Sequence, residues 1–287
     1  MLIFLADGRL GNQLFQYSFL KSIQKDKELL LISGFEELDK YFEHDYFCNI
    51  NKQNRYLRYV VYEIIQKVLI FMGYIHLISV VSVVMEKIDG LSRESTKYIT
   101  HYGLFRGIKF VKLGYFQSEK FINKRCISSL KLKPEYVSSA TKFMQSLPQN
   151  VYPVFVHVHK GDYRYHTISG KSTDVPNAYY LQAISWFTKH KKNPFFVFVS
   201  DEPDTLGVDF KDIKNKVISY GNNSGTDLAI MSKCRGAVMS PSIFSWWGSY
   251  LMGNRDVVIA PKYWLGFNWG VEYQAGGTPS YAKVIKI

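Results

Sequence analysis

A chain of 287 residues has room for one large domain or two ordinary ones. With 47% apolar and 21% charged residues it is globular, which excludes a disordered chain. Lys and Arg number 36 against 24 Asp and Glu, and the resulting +12 favours anionic partners such as a phosphate-bearing substrate or an anionic membrane.

Met1–Ala6 reads as a first buried strand. It has no basic n-region and meets Asp7, which argues against a signal peptide. Leu10–Ile23 has helical apolar spacing, and Glu28–Ser33 is a second apolar run, so the chain opens β-α-β. The joining turn holds Gly8 and Gly11, and the helix start presents three amides, Asn12, Gln13 and Gln16. Residues 40–100 lack clear alternation and are expected to be helical and irregular. Within them Val68–Met85 carries no acid, Lys or Arg. Gly73, His76, Ser79 and Ser82 interrupt it, so a buried helix, or a strand pair broken near Gly73, is expected in preference to a membrane span. Gly114–Phe121 reads as a short strand running into a turn, and Leu130–Met144 as a helix starting at Pro134. Pro148–Pro153 marks the expected domain boundary, giving domains 1–150 and 151–287.

The second half alternates regularly. Strands are expected at Val154–His159, Pro194–Ser200, Lys216–Tyr220, Gly236–Ser240 and Asp256–Ala260. Helices are expected at Pro176–His190, Thr226–Cys234 (capped by Thr226 or Ser224) and Ser242–Met252. Such alternation implies a parallel sheet covered on both faces. Three strand ends carry polar clusters: His157–Asp162, Ser200–Asp201–Glu202 and Ser240–Pro241–Ser242. In a doubly wound sheet these ends share one edge, where ligands bind. Ser242 heads a helix, whose free N–H groups suit a phosphate. Asp227 also lies at a helix start, where a carboxylate either complements the dipole or accepts from the N1–H and amine of a guanine.

Cys48, Cys126 and Cys234 form no C-x-x-C and are odd in number, so no disulfide framework or zinc site is expected and a reduced, cytosolic setting fits. The basic residues are scattered, and no clustered basic helix supports a nucleic-acid partner.

Four motifs now carry a resemblance. G-R-L-G-N-Q-L-F-Q-Y-S at 8–18, G-Y-F-Q-S-E-K-F at 114–121, H-V-H-K-G-D-Y at 157–163, and T-D-L-A-I-M-S-K-C at 226–234 followed by S-I-F-S-W-W-G-S-Y-L at 242–251 resemble the signatures of bacterial and animal α-1,2-fucosyltransferases, glycosyltransferase family 11. They stand in family order over nearly the whole chain. The resemblance implies an α/β, GT-B-like fold of two Rossmann-like domains with parallel sheets facing a cleft. It implies inverting transfer of L-fucose from GDP-L-fucose to the 2-hydroxyl of a galactoside, without metal or other cofactor. The first domain would shape the acceptor side, with Asn12, Gln13, Gln16 and Gln117 as its cleft residues. The second would bind the nucleotide through His157, Asp227, Ser242, Phe244 and Ser245. By position His159 takes the place of the Arg that holds the β-phosphate, with Lys160 beside it. Asp162 is the positional candidate for a base, ahead of His166 and Asp174.

His159-Lys160 departs from the family's Arg-Arg pair. Arg grips phosphate bidentately with a permanent charge, and His does not. This leaves open a slower enzyme, an altered donor such as GDP-colitose, or an inactive nucleotide- or glycan-binding relative. Arg9 or Arg164 could compensate. A galactose-containing oligosaccharide, lipid-linked or soluble, is the expected acceptor, and peripheral contact at a membrane is a further expectation.

Overall fold

Strand β1 (Leu2–Leu5) and strand β2 (Leu30–Ser33) lie parallel, joined through helix α1 (Leu10–Ile23), as the opening pattern predicts. The structure is a computed structural model that describes residues 1–43, 47–49, 55–123 and 130–287. The chain divides into two units, Met1–Lys131 and Leu132–Ile287.

In the first unit α1 is followed, after β2, by α2 (Glu36–Tyr41), β3 (Phe47–Asn49), α3 (Arg55–Tyr74), β4 (Ile78–Ile88), β5 (Leu91–His101) and β6 (Phe105–Val111). The six-stranded sheet runs β3-β2-β1-β6-β4-β5. Only the β4–β5 pair is antiparallel. The expectation of helical and irregular structure over 40–100 fails for this hairpin. Ile78, Ser79, Val80 and Val81 are all buried, so the strand shows no alternation to read. The turn signal was Asp89-Gly90, with φ of +47° and +80°, the two left-handed residues that a tight two-residue hairpin needs. Val68–Met85 is neither a buried helix nor a broken strand pair. It is the end of α3, a turn through His76 at φ +56°, and the start of β4. No helix among the described residues is long and apolar enough to cross a membrane.

Gly114–Phe121 is not a strand either. It is an irregular loop ending in a one-turn 3₁₀ helix at Glu119–Phe121. The loop is fixed from three sides. The Gln16 amide donates to the Gly114 carbonyl at 3.2 Å. The N–H groups of Tyr115 and Phe116 each donate to the Glu94 carboxylate at 2.8 Å. The Phe116 ring stacks on Phe19 at 3.9 Å between centroids. Burial pushes the Glu94 carboxyl above the usual range, against the two N–H bonds that pull it down.

The second unit begins earlier than the expected 151. Helix α4 (Pro134–Gln145) packs against a helix of the second sheet, which places it in this unit. There follow β7 (Tyr152–Val158), α5 (Asn177–His190), β8 (Pro194–Ser200), α6 (Pro203–Asp209), β9 (Lys216–Ile218), α7 (Ser224–Lys233), β10 (Gly236–Val238), α8 (Ile243–Tyr250), β11 (Val257–Pro261) and β12 (Lys283–Ile285). Helix α7 is the partner of α4, and its cap is Asn223, whose side chain accepts from the Thr226 N–H at 3.0 Å, instead of Thr226 or Ser224. All pairs of the six-stranded sheet are parallel and the order is β9-β8-β7-β10-β11-β12. This is the Rossmann order 3-2-1-4-5-6. Every residue of β7 is buried, which sets it at the centre of the sheet.

Replacing Glu94 by Ala leaves two N–H groups without their acceptor. We expect a loss of about 2 kcal/mol, read as a lowered urea midpoint for the first unit.

Candidate active site

The strand order of the second unit reverses between β7 and β10. At such a switch point the connections leave in opposite directions and a crevice opens beyond the carboxyl ends of the strands. The loop after β7 is 159–164 and the loop after β10 is 239–242. Two bonds join them. His157 Nδ1 lies 2.7 Å from the Ser240 hydroxyl, and the Tyr163 hydroxyl donates to the Pro241 carbonyl at 3.1 Å.

His157 is 3% exposed. Burial, helped by the nearby positive charge of His159, pushes its pKa down to about 3, so the ring is neutral. The Phe244 ring lies 5.7 Å away, centroid to centroid.

His159 stands just past β7 between two carboxylates. Its Nε2 lies 2.7 Å from Asp162 Oδ1 and its Nδ1 lies 3.1 Å from Asp201 Oδ2. The Nε2 contact is a hydrogen bond, and the Nδ1 contact is a close approach to the second carboxylate. Tyr163 meets the ring edge-on at 4.1 Å. Asp201 also accepts the Lys160 N–H through Oδ1 at 3.0 Å. Gly161 leaves room for the Asp201 carboxylate, which a Cβ at that position would displace. The same three side chains bring one ligand atom each within 4.8 Å of one another, the spacing of a potential cation site. Within this trio the Nε2–Asp162 contact is a hydrogen bond.

Lys160 is placed differently from expectation. The residue is 7% exposed, and its ammonium donates to Asp174 at 3.0 Å and to the Val175 carbonyl at 3.1 Å. Its charge is neutralised inside the loop and faces no open edge. Arg164 pairs with Glu202 at 2.6 Å. His166 lies 3.1 Å from the Thr173 hydroxyl. Arg9, in the first unit, is an exposed residue at the start of α1.

The serines of the second loop hold the backbone. Ser242 caps α8 by accepting the Phe244 N–H at 3.3 Å. Ser245 donates its hydroxyl to the carbonyls of Ser240 and Ser242, both at 2.8 Å, and is fully buried. The Ser245 hydroxyl proton is thus used in shaping the turn, whereas Ser242 accepts through its oxygen and keeps its hydroxyl proton. The N-terminal end of α8 is itself an anion-directed feature.

Asp227, in the first turns of α7, accepts from the Ser219 hydroxyl at 2.6 Å, and Asn222 donates to that hydroxyl at 2.7 Å. Ser219 directly follows β9, so the chain ends that carry Asp227, His157 and Ser240 belong to one sheet edge. Burial pushes the Asp227 carboxyl up to about 6, against the lowering effect of Ser219.

In the first unit Gln117 donates to Asn12 at 2.8 Å, and both are partly exposed. Gln13 and Gln16 are not cleft residues there. Gln13, 2% exposed, donates to the carbonyls of Gly8 and Gly34 and accepts from the Leu38 N–H. Gln16, fully buried, donates to the carbonyls of Asp7 and Gly114. Both brace the motif loops.

The family model described as glycosyl transferase family 11 matches residues 1–274. The chain belongs to glycosyl transferase family 11. It is 25% identical over 281 residues to an alpha-1,2-colitosyltransferase of Escherichia coli, covering 90% of each chain. A shorter segment of 117 residues is 30% identical to galactoside alpha-(1,2)-fucosyltransferase 1 of Mus musculus, and that match spans 37% of this chain and 30% of the mouse protein. Among solved structures, fucosyltransferase NodZ from Bradyrhizobium superposes with a TM-score of 0.53 at 10% identity, over 87% of this chain and 93% of that one. A family 9 glycosyl transferase from Veillonella parvula gives 0.52 at 13% identity, over 100% and 85%. These likenesses show the fold, which is GT-B-like with parallel sheets. The family 11 enzyme is a glycosyltransferase.

Sequence reasoning had flagged Ser200–Asp201–Glu202 as a polar strand end without giving Asp201 a role, and it did not see Ser219 or Ser240 as partners of site residues. Asp201 and Ser240 lie immediately beyond β8 and within the expected end of β10, so strand-end polarity was the available signal.

The raised pKa of Asp227 has a stability consequence. The folded carboxyl binds its proton more tightly than the unfolded one. Its contribution is therefore fully present below about pH 4 and lost as the pH rises through about 6. Asp227→Asn keeps an acceptor for Ser219 without the buried charge. It should stabilise the protein by about 1–3 kcal/mol at pH 7.5 and change little at pH 4, as followed by thermal unfolding.

Proposed function

We propose that the enzyme moves L-fucose from GDP-L-fucose to the 2-hydroxyl of a galactoside, inverting the anomeric carbon and using no metal. In this reading the acceptor oxygen bonds to the anomeric carbon as the bond to the β-phosphate oxygen breaks. The hydroxyl proton passes to a base and GDP leaves with the bonding electrons. The demand on the protein is to stabilise charge growing on the diphosphate.

One observation carries the reading: His159 placed between Asp162 and Asp201 at the switch point, beside a neutral His157 and the end of α8. In this reading His159, at the position where the family motif has Arg, serves the diphosphate, which favours an active enzyme over an inactive relative. Asp162 has a side chain 65% exposed and engages His159 through one oxygen. Its other oxygen is available to take the acceptor's proton. Asp227, desolvated and already held by Ser219, suits the N1–H and exocyclic amine of guanine. Partly exposed Asn12 and Gln117 are the acceptor-side pair of the first unit.

GDP-colitose is the second donor to test. The colitosyltransferase relative covers 90% of this chain, a broader match than that of the mouse fucosyltransferase. Colitose differs by lacking the 3-hydroxyl.

The purified enzyme, given each donor with a β-galactoside, should form an α-1,2 linkage visible by NMR of the product. Consumption of neither donor, or transfer to another hydroxyl, would overturn the proposal. His159→Ala should lower kcat by about 10²–10³, while His159→Arg should keep most of it. Asp201→Asn should lower kcat by about tenfold with the donor KM little changed, because Asp201 positions a group that acts in the transition state. Turnover should survive EDTA, and its abolition, restored by a divalent ion, would reassign the His159–Asp162–Asp201 trio.

A further inference from the structure

Helix α3 has an outer face that no described residue covers. Ile64, Val68, Phe71 and Ile75 recur at spacings of four, three and four, one stripe of a helix, and are 56%, 50%, 61% and 49% exposed. The adjacent stripe, Ile65, Leu69 and Met72, already packs on Ile78 and Phe110, so the outer stripe is not needed for the core. The turn between β5 and β6 extends the patch. Leu104 N–H donates to the His76 carbonyl at 2.7 Å and Phe105 N–H to the Leu77 carbonyl at 2.9 Å. That fixes Leu104 and Phe105, 75% and 52% exposed, next to the end of α3.

Exposed basic residues flank this face: Lys67 on α3 and Arg106 next to Phe105. Residues 64–85 and 95–118 contain no Asp or Glu. Arg106 lies over the Tyr102 ring at 5.8 Å. The nearest acid on the helix is Glu63, 3.9 Å from Lys67. A second copy of the chain would bring two such basic rims together. An anionic bilayer surface would meet them with opposite charge.

We propose that this face of the first unit docks on an anionic lipid surface, with the α3 stripe, Leu104 and Phe105 at the acyl boundary and the basic side chains among the headgroups. This is an interaction beyond sugar transfer. Its test uses no sugar, so it stands or falls apart from the proposed activity.

The full chain is sedimented with vesicles of phosphatidylcholine alone and with one third phosphatidylglycerol. Binding to the anionic vesicles should be stronger and should fall at high salt. The double variant Phe71→Ser/Leu104→Ser should bind them about tenfold or more weaker. Val208→Ser, which removes an apolar side chain 76% exposed in the second unit, should bind like the parent. Arg106→Glu provides a second reading that leaves the apolar stripe intact, and it should weaken anionic binding alone. Circular dichroism checks that each variant is folded. Equal binding by parent and variants would overturn the proposal. So would no binding accompanied by a dimer in light scattering that Phe71→Ser/Leu104→Ser dissociates, which would give the face to a second copy.

Discussion

The bond between His157 and the Ser240 hydroxyl closes the gap at which the second sheet reverses its strand order. Everything proposed for the site depends on it. The two loops leave β7 and β10 in opposite directions, and nothing in parallel pairing fixes their spacing beyond the last ladder bond. The His157–Ser240 and Tyr163–Pro241 contacts do so. Because His157 is buried and neutral, this link carries no charge that pH could switch in the ordinary range. Breaking it would leave a buried donor or acceptor unpaired, at a cost of about 1–3 kcal/mol.

A second constraint follows from the first. With the loop after β7 anchored, Asp201 can reach it from the neighbouring β8, holding the Lys160 N–H with one oxygen and His159 with the other. Gly161 permits the approach. The result divides the charged groups of the loop into two kinds. Lys160 and Asp174 neutralise each other inside it. His159 stands just past β7 between two carboxylates. The motif residues therefore do unlike work: Lys160, Ser245, Gln13 and Gln16 brace backbone, while His159 and Asp227 carry the proposed chemistry and recognition.

Much of this was legible in the sequence. The bounds of α1 and of β8 match their apolar patterns, because each is a buried element bordered by turn residues. The parallel second sheet followed from strand-helix alternation. The β4–β5 hairpin was not legible from periodicity, since its first half is buried on both sides, although Asp89-Gly90 announced the turn. Helix α6 and strand β12 are short elements, and periodicity has little to act on there. At the site, the residue types and strand ends were readable. Which partner each would take was not, because Asp201, Ser240 and Ser219 meet their partners only through sheet order and helix packing. The corrected Lys160 shows the same limit: a basic residue in a motif announces charge, and only the fold reveals that Asp174 neutralises it.

The central claim is that the carboxyl edge of the second sheet is a guanosine diphosphate site read by Asp227. Calorimetric titration of GDP, with UDP as the control, tests it most directly. The account predicts one GDP site at pH 7.5 and no detectable UDP binding. It also predicts a GDP affinity that weakens by about tenfold towards pH 5, as the Asp227 carboxyl takes up its proton below about 6. Equal binding of GDP and UDP, or no binding of either, would contradict it.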